Sequence, residues 1–225
     1  AETFFEAAEC LLLMAEAENE SWSNNSAGVF ISLFGLGCGP VAASEISPLD
    51  KIDYLGRLLR SEVAFRREIA IQALEKSLDP FMSRTCIDEV IGLRRLPDRW
   101  RPKTYDELYE TYAAHVRLLS DASDYLPAEE ATKAAKAIVN HARNLFLIAP
   151  LAQTILVFLR RAATMPGLRE QCIETIVATL HHEGNELSEA VRSELHLIRA
   201  ELTESSFSNK LRSEERFSRN AETVT

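Results

Sequence analysis

Apolar side chains recur at steps of three and four residues along most of this chain, the spacing that places them on one face of an α-helix. In the first segment they stand at Phe4, Phe5, Ala8, Leu11, Leu12 and Ala15. The same period returns in later segments, the last of them at about 151–164, 167–183 and 186–203. The pattern therefore predicts an all-α fold of about eight or nine helices.

Residues that favour helix ends mark several boundaries between the predicted helices. The stretch SWSNNS, residues 21–26, interrupts the first apolar pattern, and one of its Asn or Ser side chains can cap a second helix. Pro48 suits the first turn of a third helix, and Thr104 with Glu107 three residues later forms a capping box. We interpret 21–26 as a corner against which Trp22 packs, with a ligand-contacting loop as the alternative.

The strength of the helical pattern divides the chain into four segments. It loosens between Pro80 and Pro102, where four prolines or glycines fall within a short stretch. After Glu204 large apolar residues become sparse. The predicted organisation is a set of N-terminal helix pairs (1–79), a connecting segment (80–103), C-terminal helix pairs (104–204) and a polar tail (205–225).

Charge and hydropathy limit the classes of function. The net charge is −9, and residues 1–50 carry eight acidic side chains and no Lys or Arg. Such a surface repels phosphate, so a nucleic-acid role for the whole chain is disfavoured. The most membrane-like run, Leu145 to Leu159, is interrupted by Pro150, Gln153 and Thr154 and is shorter than the roughly 20 residues that a transmembrane helix needs. We interpret it as a buried helix-turn-helix, with an interfacial or membrane segment as the alternative. We therefore expect no membrane insertion.

The four cysteines are far apart, at Cys10, Cys38, Cys86 and Cys172. Their spacing fits neither a zinc site nor a redox pair, which predicts reduced thiols in the cytoplasm. Cys10 and Cys172 stand among apolar neighbours at helical spacing, so we expect both to be small core residues. The chain begins at Ala1 already within a helical pattern, which suggests a fragment of a longer protein.

Two helical runs share an outline. Arg67 to Leu74 reads REIAIQAL, and Arg169 to Ile176 reads REQCIETI. Both resemble the second helix of a HEAT or armadillo-type repeat, an α-solenoid unit. The resemblance implies that Arg67 and Arg169 hold acidic or carbonyl groups of a neighbouring unit and that a small residue three positions later allows helices to approach closely. The N-terminal region is also similar to helical-repeat regions of large bacterial multidomain proteins with a nucleotidase or STAND-type NTPase domain.

One cluster of histidines and carboxylates could hold a metal, the stretch LHHEGNE with His181, His182 and Glu183. Helical zinc hydrolases need two His four residues apart, whereas adjacent residues point about 100° apart. We interpret the stretch as a helix C-terminus and keep a metal-dependent hydrolase as the alternative. His115 and His141 lie within helices without a recognisable nucleophile. No catalytic residue, metal or cofactor is expected.

The densest basic stretch is LRRLPDRWRPK, residues 93–103. Its candidate partner-binding residues are Arg94, Arg95, Arg99, Trp100 and Arg101. Arg binds carboxylate or phosphate in a bidentate manner, and Trp stacks on flat groups. In the plainer interpretation, Trp100 fills a gap between two helical halves and the Arg residues offset the acidic excess. Nucleic-acid binding through Arg94 to Lys103 is a further alternative.

Together these patterns predict an irregular helical-repeat array that acts as a non-catalytic scaffold or sensor module in the cytoplasm. Stacked helix pairs bind partners through surface area rather than through chemistry. The expected partners are another protein or other domains of the parent chain.

Overall fold

A computed structural model describes residues 2–18, 25–36, 44–79 and 100–204. Within these ranges the regular structure is helical and no strand occurs. The predicted all-α class is therefore confirmed. None of the helices in these ranges combines the length and apolar character that crossing a membrane requires.

The helices follow the predicted segments closely. They are α1 (Glu2–Ala17), α2 (Ser26–Ser32), α3 (Pro48–Leu59), α4 (Ala64–Ser77), α5 (Tyr105–Tyr125), α6 (Ala128–Leu145), α7 (Ala152–Ala162) and α8 (Arg169–His182). Residues 189–204 form a further helix, α9, and a 3₁₀-helix, Ala149–Leu151, precedes α7.

Local polar contacts start three of the helices, and those of α2 and α5 are made by residues that the sequence predicts as caps. The Asn25 side chain accepts a hydrogen bond from the Gly28 N–H (2.8 Å) at the start of α2. Ser47 caps α3 immediately before Pro48. Thr104 accepts from the Glu107 N–H (3.2 Å) at the start of α5. The corner with Trp22 lies outside the described residues.

The chain divides into two compact units, an N-terminal unit of residues 1–144 and a C-terminal unit of residues 145–225. In the N-terminal unit α1 packs on α2, α3 on α4 and α5, and α4 on α2 and α5. In the C-terminal unit α7 packs on α8. Most of the predicted connecting segment, 80–103, lies outside the described residues, so that boundary stays a prediction.

Aromatic rings fill the core where α1, α2 and α3 meet. Phe34, just after α2, stacks nearly parallel to Tyr54 of α3, with ring centroids 6.2 Å apart. Phe30 lies 5.1 Å from Phe34, and Phe4 of α1 meets Phe34 edge-on at 6.2 Å. Because such ring pairs add to the stabilisation from burial alone, this cluster joins the three helices firmly.

The predicted burial of the two cysteines is right for one and wrong for the other. Cys172 is fully buried in the core of the C-terminal unit. Cys10 is exposed, because the inward face of α1 is formed by Ala8, Leu12 and Ala15. Cys38 and Cys86 lie outside the described residues.

Candidate functional site

The structure describes only part of the predicted partner-binding segment. Arg94, Arg95 and Arg99 lie outside the described residues. Trp100 is half-buried, and its backbone N–H donates to the Ser44 carbonyl (2.9 Å), while Arg101 is exposed. The use of this segment for partner binding stays a prediction.

His181 and His182 end α8 as the sequence predicts. Their ring centroids are 4.7 Å apart with the rings almost perpendicular, and both residues are exposed. Glu183 is the C-terminal cap. A Cβ atom at Gly184 would collide with the Leu180 carbonyl oxygen, so the chain can leave the helix this closely only through glycine. In the ranges that the structure describes, no three His, Cys, Asp or Glu side chains are grouped to hold a metal ion.

His115 of α5 is a buried residue of the N-terminal unit. Its Nδ1 lies 2.7 Å from the Thr111 carbonyl oxygen, an acceptor, so Nδ1 carries the proton and donates. Nε2 is buried without a hydrogen-bond partner. Burial lowers the pKa of His115 to about 4, and the nearby Lys51 ammonium acts in the same direction. His115 is therefore neutral near pH 7, which suits a core position.

Lys51 of α3 is almost completely buried and connects three helices. Its Nζ donates to the Leu33 carbonyl at the end of α2 (2.8 Å) and lies 4.7 Å from the centre of the Phe4 ring of α1. Burial lowers the pKa of Lys51 to about 8. The carbonyl and the ring oppose that effect, because both stabilise the ammonium. Lys51 thus joins α3 to the C-terminal end of α2, a structural role.

A series of polar contacts joins α4 to α6 within the N-terminal unit. Arg67 binds both carboxylate oxygens of Glu130, with Nη2 2.7 Å from Oε1. The same guanidinium donates to the carbonyls of Ser61 and Glu62, 2.8 and 3.0 Å away, which fixes the loop before α4. Arg67 thus binds a carboxylate of another helix in a bidentate manner. That α6 belongs to a neighbouring repeat unit stays a prediction.

Two further contacts continue along the same pair of helices. Lys133 Nζ lies 3.2 Å from Glu68 Oε1, and Asn140 Nδ2 donates to Glu75 Oε1 (2.9 Å). The partners on α6 follow the same order along the chain as those on α4. The two helices therefore run parallel to each other.

Charge pairing along this contact stabilises the ionised forms. The hydrogen bonds from Arg67 lower the pKa of Glu130, whose side chain is only 14% exposed. Hydrogen bonds to Glu129 and Glu68 raise the pKa of Lys133. The contact is thus made by charged groups at neutral pH.

One position in this series is open. Gln72 on α4 and Lys136 on α6 lie between the contacts made by Glu68 and Glu75. Both side chains are exposed, and neither has a bonding partner among the described residues. Buried Ile71 and Ala137 form the floor, and a half-open cavity of about 300 Å³ lies above them. We call this the α4–α6 groove; its remaining lining residues are Glu68, Glu75, Lys133 and Asn140.

The sequence motif indicates only one wall of the α4–α6 groove. The helical period of α4 places Ala70 and Leu74 inward and Gln72 outward, and the structure agrees. Nothing in the sequence near Lys136 indicates that it faces α4, because residues 78–127 separate the two helices along the chain. The contacts of Arg67 with Glu130, Lys133 with Glu68 and Asn140 with Glu75 show their relative register.

The second copy of the motif lies on α8 in the C-terminal unit. Arg169, the first residue of α8, donates through Nη2 and Nε to the Leu202 carbonyl oxygen of α9 (2.9 and 3.3 Å). Cys172 and Ile176, three and seven residues later, are fully buried. Arg169 thus holds a carbonyl of another helix, and the assignment of α8 and α9 to repeat units stays a prediction.

Comparisons of this chain with protein-family models, with curated proteins and with solved structures give no match.

Proposed function

We propose that this chain is a non-catalytic helical-repeat scaffold that binds another protein or another domain of its parent protein. The observation that carries the proposal is the parallel arrangement of α4 and α6. Three side-chain contacts in the same order along both helices define it.

The parallel arrangement matters because of how helical repeats are built. Each repeat is a pair of helices, and the second helices of successive pairs lie side by side in the same direction. Here α3 packs on α5, and three side-chain contacts join α4 to α6. These contacts support the interpretation of α3–α4 and α5–α6 as two successive repeats.

The type of contact that the two arginines make adds support. The HEAT resemblance implies an Arg that holds a carboxylate or carbonyl of a neighbouring helix. Arg67 holds Glu130 and two loop carbonyls, and Arg169 holds the Leu202 carbonyl. Both copies of the motif thus make the type of contact that the resemblance implies.

A scaffold needs a surface that its own helices leave available. The α4–α6 groove has polar side chains on both walls, and Gln72 and Lys136 there have no bonding partner in the part of the chain that the structure describes. A cavity of about 300 Å³ is at the lower limit of small-molecule sites and is better suited to side chains of a partner protein. The net charge of −9 favours a protein partner over nucleic acid.

Site-specific photo-crosslinking tests this proposal. Benzoylphenylalanine is placed at position 72 in the α4–α6 groove and, as a matched control, at position 117, an exposed Arg of α5 in the same unit. We expect irradiation in cells to give a discrete protein adduct from position 72 but not from position 117. The captured protein is then purified separately, and calorimetry is expected to show stoichiometric binding to the uncrosslinked chain.

Two results would contradict the scaffold function. One is the absence of a protein adduct from position 72, and the other is a captured protein that fails to bind when both components are pure. A metal content of one zinc or iron per chain that is lost in His182→Ala would instead favour the hydrolase alternative.

A further inference from the structure

We propose that the α4–α6 groove recognises an acidic side chain of the partner, with its carboxylate bound between Lys136 and Gln72. This inference rests on the proposed scaffold function and specifies the chemistry of its partner.

The first argument is the register of the two helices. Glu68 contacts Lys133, and Glu75 contacts Asn140, so the residues on α6 lie 65 positions after their partners on α4. The same offset places Gln72 across from residue 137 and beside Lys136. Between the Glu68–Lys133 and Glu75–Asn140 contacts, therefore, the side chains of Gln72 and Lys136 face each other across the two helices without a bond between them.

The second argument is the type of unsatisfied group. Lys136 carries three donors and no acceptor, and the amide of Gln72 carries two donors. A carboxylate is an acceptor only, and it forms its strongest hydrogen bonds with charged donors. An aspartate or glutamate of a partner therefore satisfies both side chains at once.

The third argument is the surroundings of that position. The Lys133 ammonium is paired with the Glu68 carboxylate, which offsets the repulsion of an incoming acid by Glu68, and the Asn140 amide holds the Glu75 carboxylate in place. The floor of Ile71 and Ala137 is apolar and receives the methylene groups of the entering side chain. The groove is thus polar at its rim and apolar at its base, as a specific side-chain site requires.

The overall charge of the chain adds a constraint. A net charge of −9 repels acidic proteins at long range, so attraction by the whole surface cannot produce binding of an acidic segment. Recognition must come from short-range contacts with Lys136 and Gln72. Removal of Lys136 alone should therefore abolish the preference for an acid.

Peptide display tests the inference directly, because selection from a library needs no identified partner. A library of random linear peptides is selected on the wild-type chain, and the enriched peptides are measured against Lys136→Glu and Arg117→Glu. Both substitutions change the charge equally at exposed residues of the N-terminal unit. Circular dichroism and thermal melting verify that both variants fold.

We expect the enriched peptides to share an Asp or Glu at one position, to bind Arg117→Glu as they bind the wild type, and to lose at least about tenfold in affinity for Lys136→Glu. Selection on Lys136→Glu should enrich Lys or Arg at that position instead. Equal binding to the two variants, or no shared acidic position, would overturn the inference. A crosslinked partner at position 72 would then leave the scaffold function standing.

Discussion

The helices α4 and α8, one in each unit, share a sequence outline but use it with different partners. In both, the small residue three positions after the Arg and the aliphatic residue seven positions after it are fully buried, Ala70 and Leu74 in α4, Cys172 and Ile176 in α8. The arginines differ. Arg67 binds a carboxylate and two loop carbonyls, whereas Arg169 binds one backbone carbonyl.

The difference separates what a motif determines from what it does not. Burial of the residues three and seven positions after the Arg follows from helical periodicity, which is a local property. The partner of the Arg comes from a distant part of the chain, Glu130 for Arg67 and Leu202 for Arg169. The buried face is therefore common to both helices, and the strength and pH dependence of the Arg contact are specific to each unit.

The largest expected effect tests whether the two buried faces are equivalent. We expect Leu74→Ala and Ile176→Ala each to lower the free energy of unfolding by about 2–5 kcal/mol, because each leaves a cavity in a closed core. Urea unfolding gives the loss, and hydrogen exchange followed by peptide mass spectrometry assigns it to α4 or α8. A large loss in one helix only would show that the faces are not equivalent.

We expect a decrease in pH to change the stability of the two units differently. Because the pKa of His115 falls to about 4 in the folded state from an ordinary value near 6.5, the unfolded chain takes up a proton first as the pH decreases. His115 therefore destabilises the N-terminal unit progressively from pH 6.5 to pH 4, by about 3 kcal/mol in total.

Urea unfolding at successive pH values, with peptide-resolved hydrogen exchange, measures this dependence. An Asn side chain can donate a hydrogen bond to the Thr111 carbonyl as His115 does, but it does not titrate in this pH range. We therefore expect the stability of His115→Asn to depend less steeply on pH than that of the wild type. His181, His182 and His196 of the C-terminal unit are exposed. An unchanged slope in His115→Asn would contradict the assignment of the effect to this histidine.

We expect a larger side chain at either small residue, Ala70 or Cys172, to lower stability by a similar amount. Ala70→Leu and Cys172→Leu each add volume to a packed interface and are expected to cost about 1–3 kcal/mol. Gln72→Leu, on the exposed side of α4, is the control and should change stability by less than about 0.5 kcal/mol. Equal, small effects of Ala70→Leu and Gln72→Leu would remove the basis for the HEAT resemblance.

Removal of the arginines should have the smallest effects and should differ between the units. Arg67→Ala leaves the Glu130 carboxylate, 14% exposed, without its two donors, whereas Arg169→Ala leaves only a backbone carbonyl. We expect the larger decrease in the urea midpoint for Arg67→Ala.

The pH dependence of the same variants is a second readout. The pKa of Glu130 is lowered in the folded state, so its contribution to stability is present above its unfolded pKa and is lost as the pH falls through the folded pKa. Arg67→Ala should lack much of this acid-dependent loss, and Arg169→Ala should retain it. Identical pH profiles for the two variants would contradict the contact with Glu130.

The sequence was informative wherever the determining contacts are local. The caps at Asn25 and Thr104 and the breaks between helices depend on neighbouring residues, and they were predicted correctly. Burial of Cys10 was predicted wrongly because α1 is apolar around much of its circumference. Leu13 and Met14 are also exposed there, so periodicity alone does not identify its inward face.

The candidate site could be predicted only in part for the same reason. The outward position of Gln72 follows from the period of α4. The approach of Lys136 does not, because it depends on the register between two helices far apart in the sequence. Such a register is set by packing and by the contact of Arg67 with Glu130.

The central claim is that α4 and α6 lie side by side in parallel, and distances between spin labels test it most directly. Nitroxides are attached to cysteine pairs at 68/133, 75/140, 68/140 and 75/133, in a background whose four native cysteines are replaced. Parallel helices predict two short distances, for 68/133 and 75/140. The crossed pairs should be clearly longer, because seven residues of helix span about 10 Å. Short distances for 68/140 and 75/133 instead would mean antiparallel helices and would contradict the repeat arrangement.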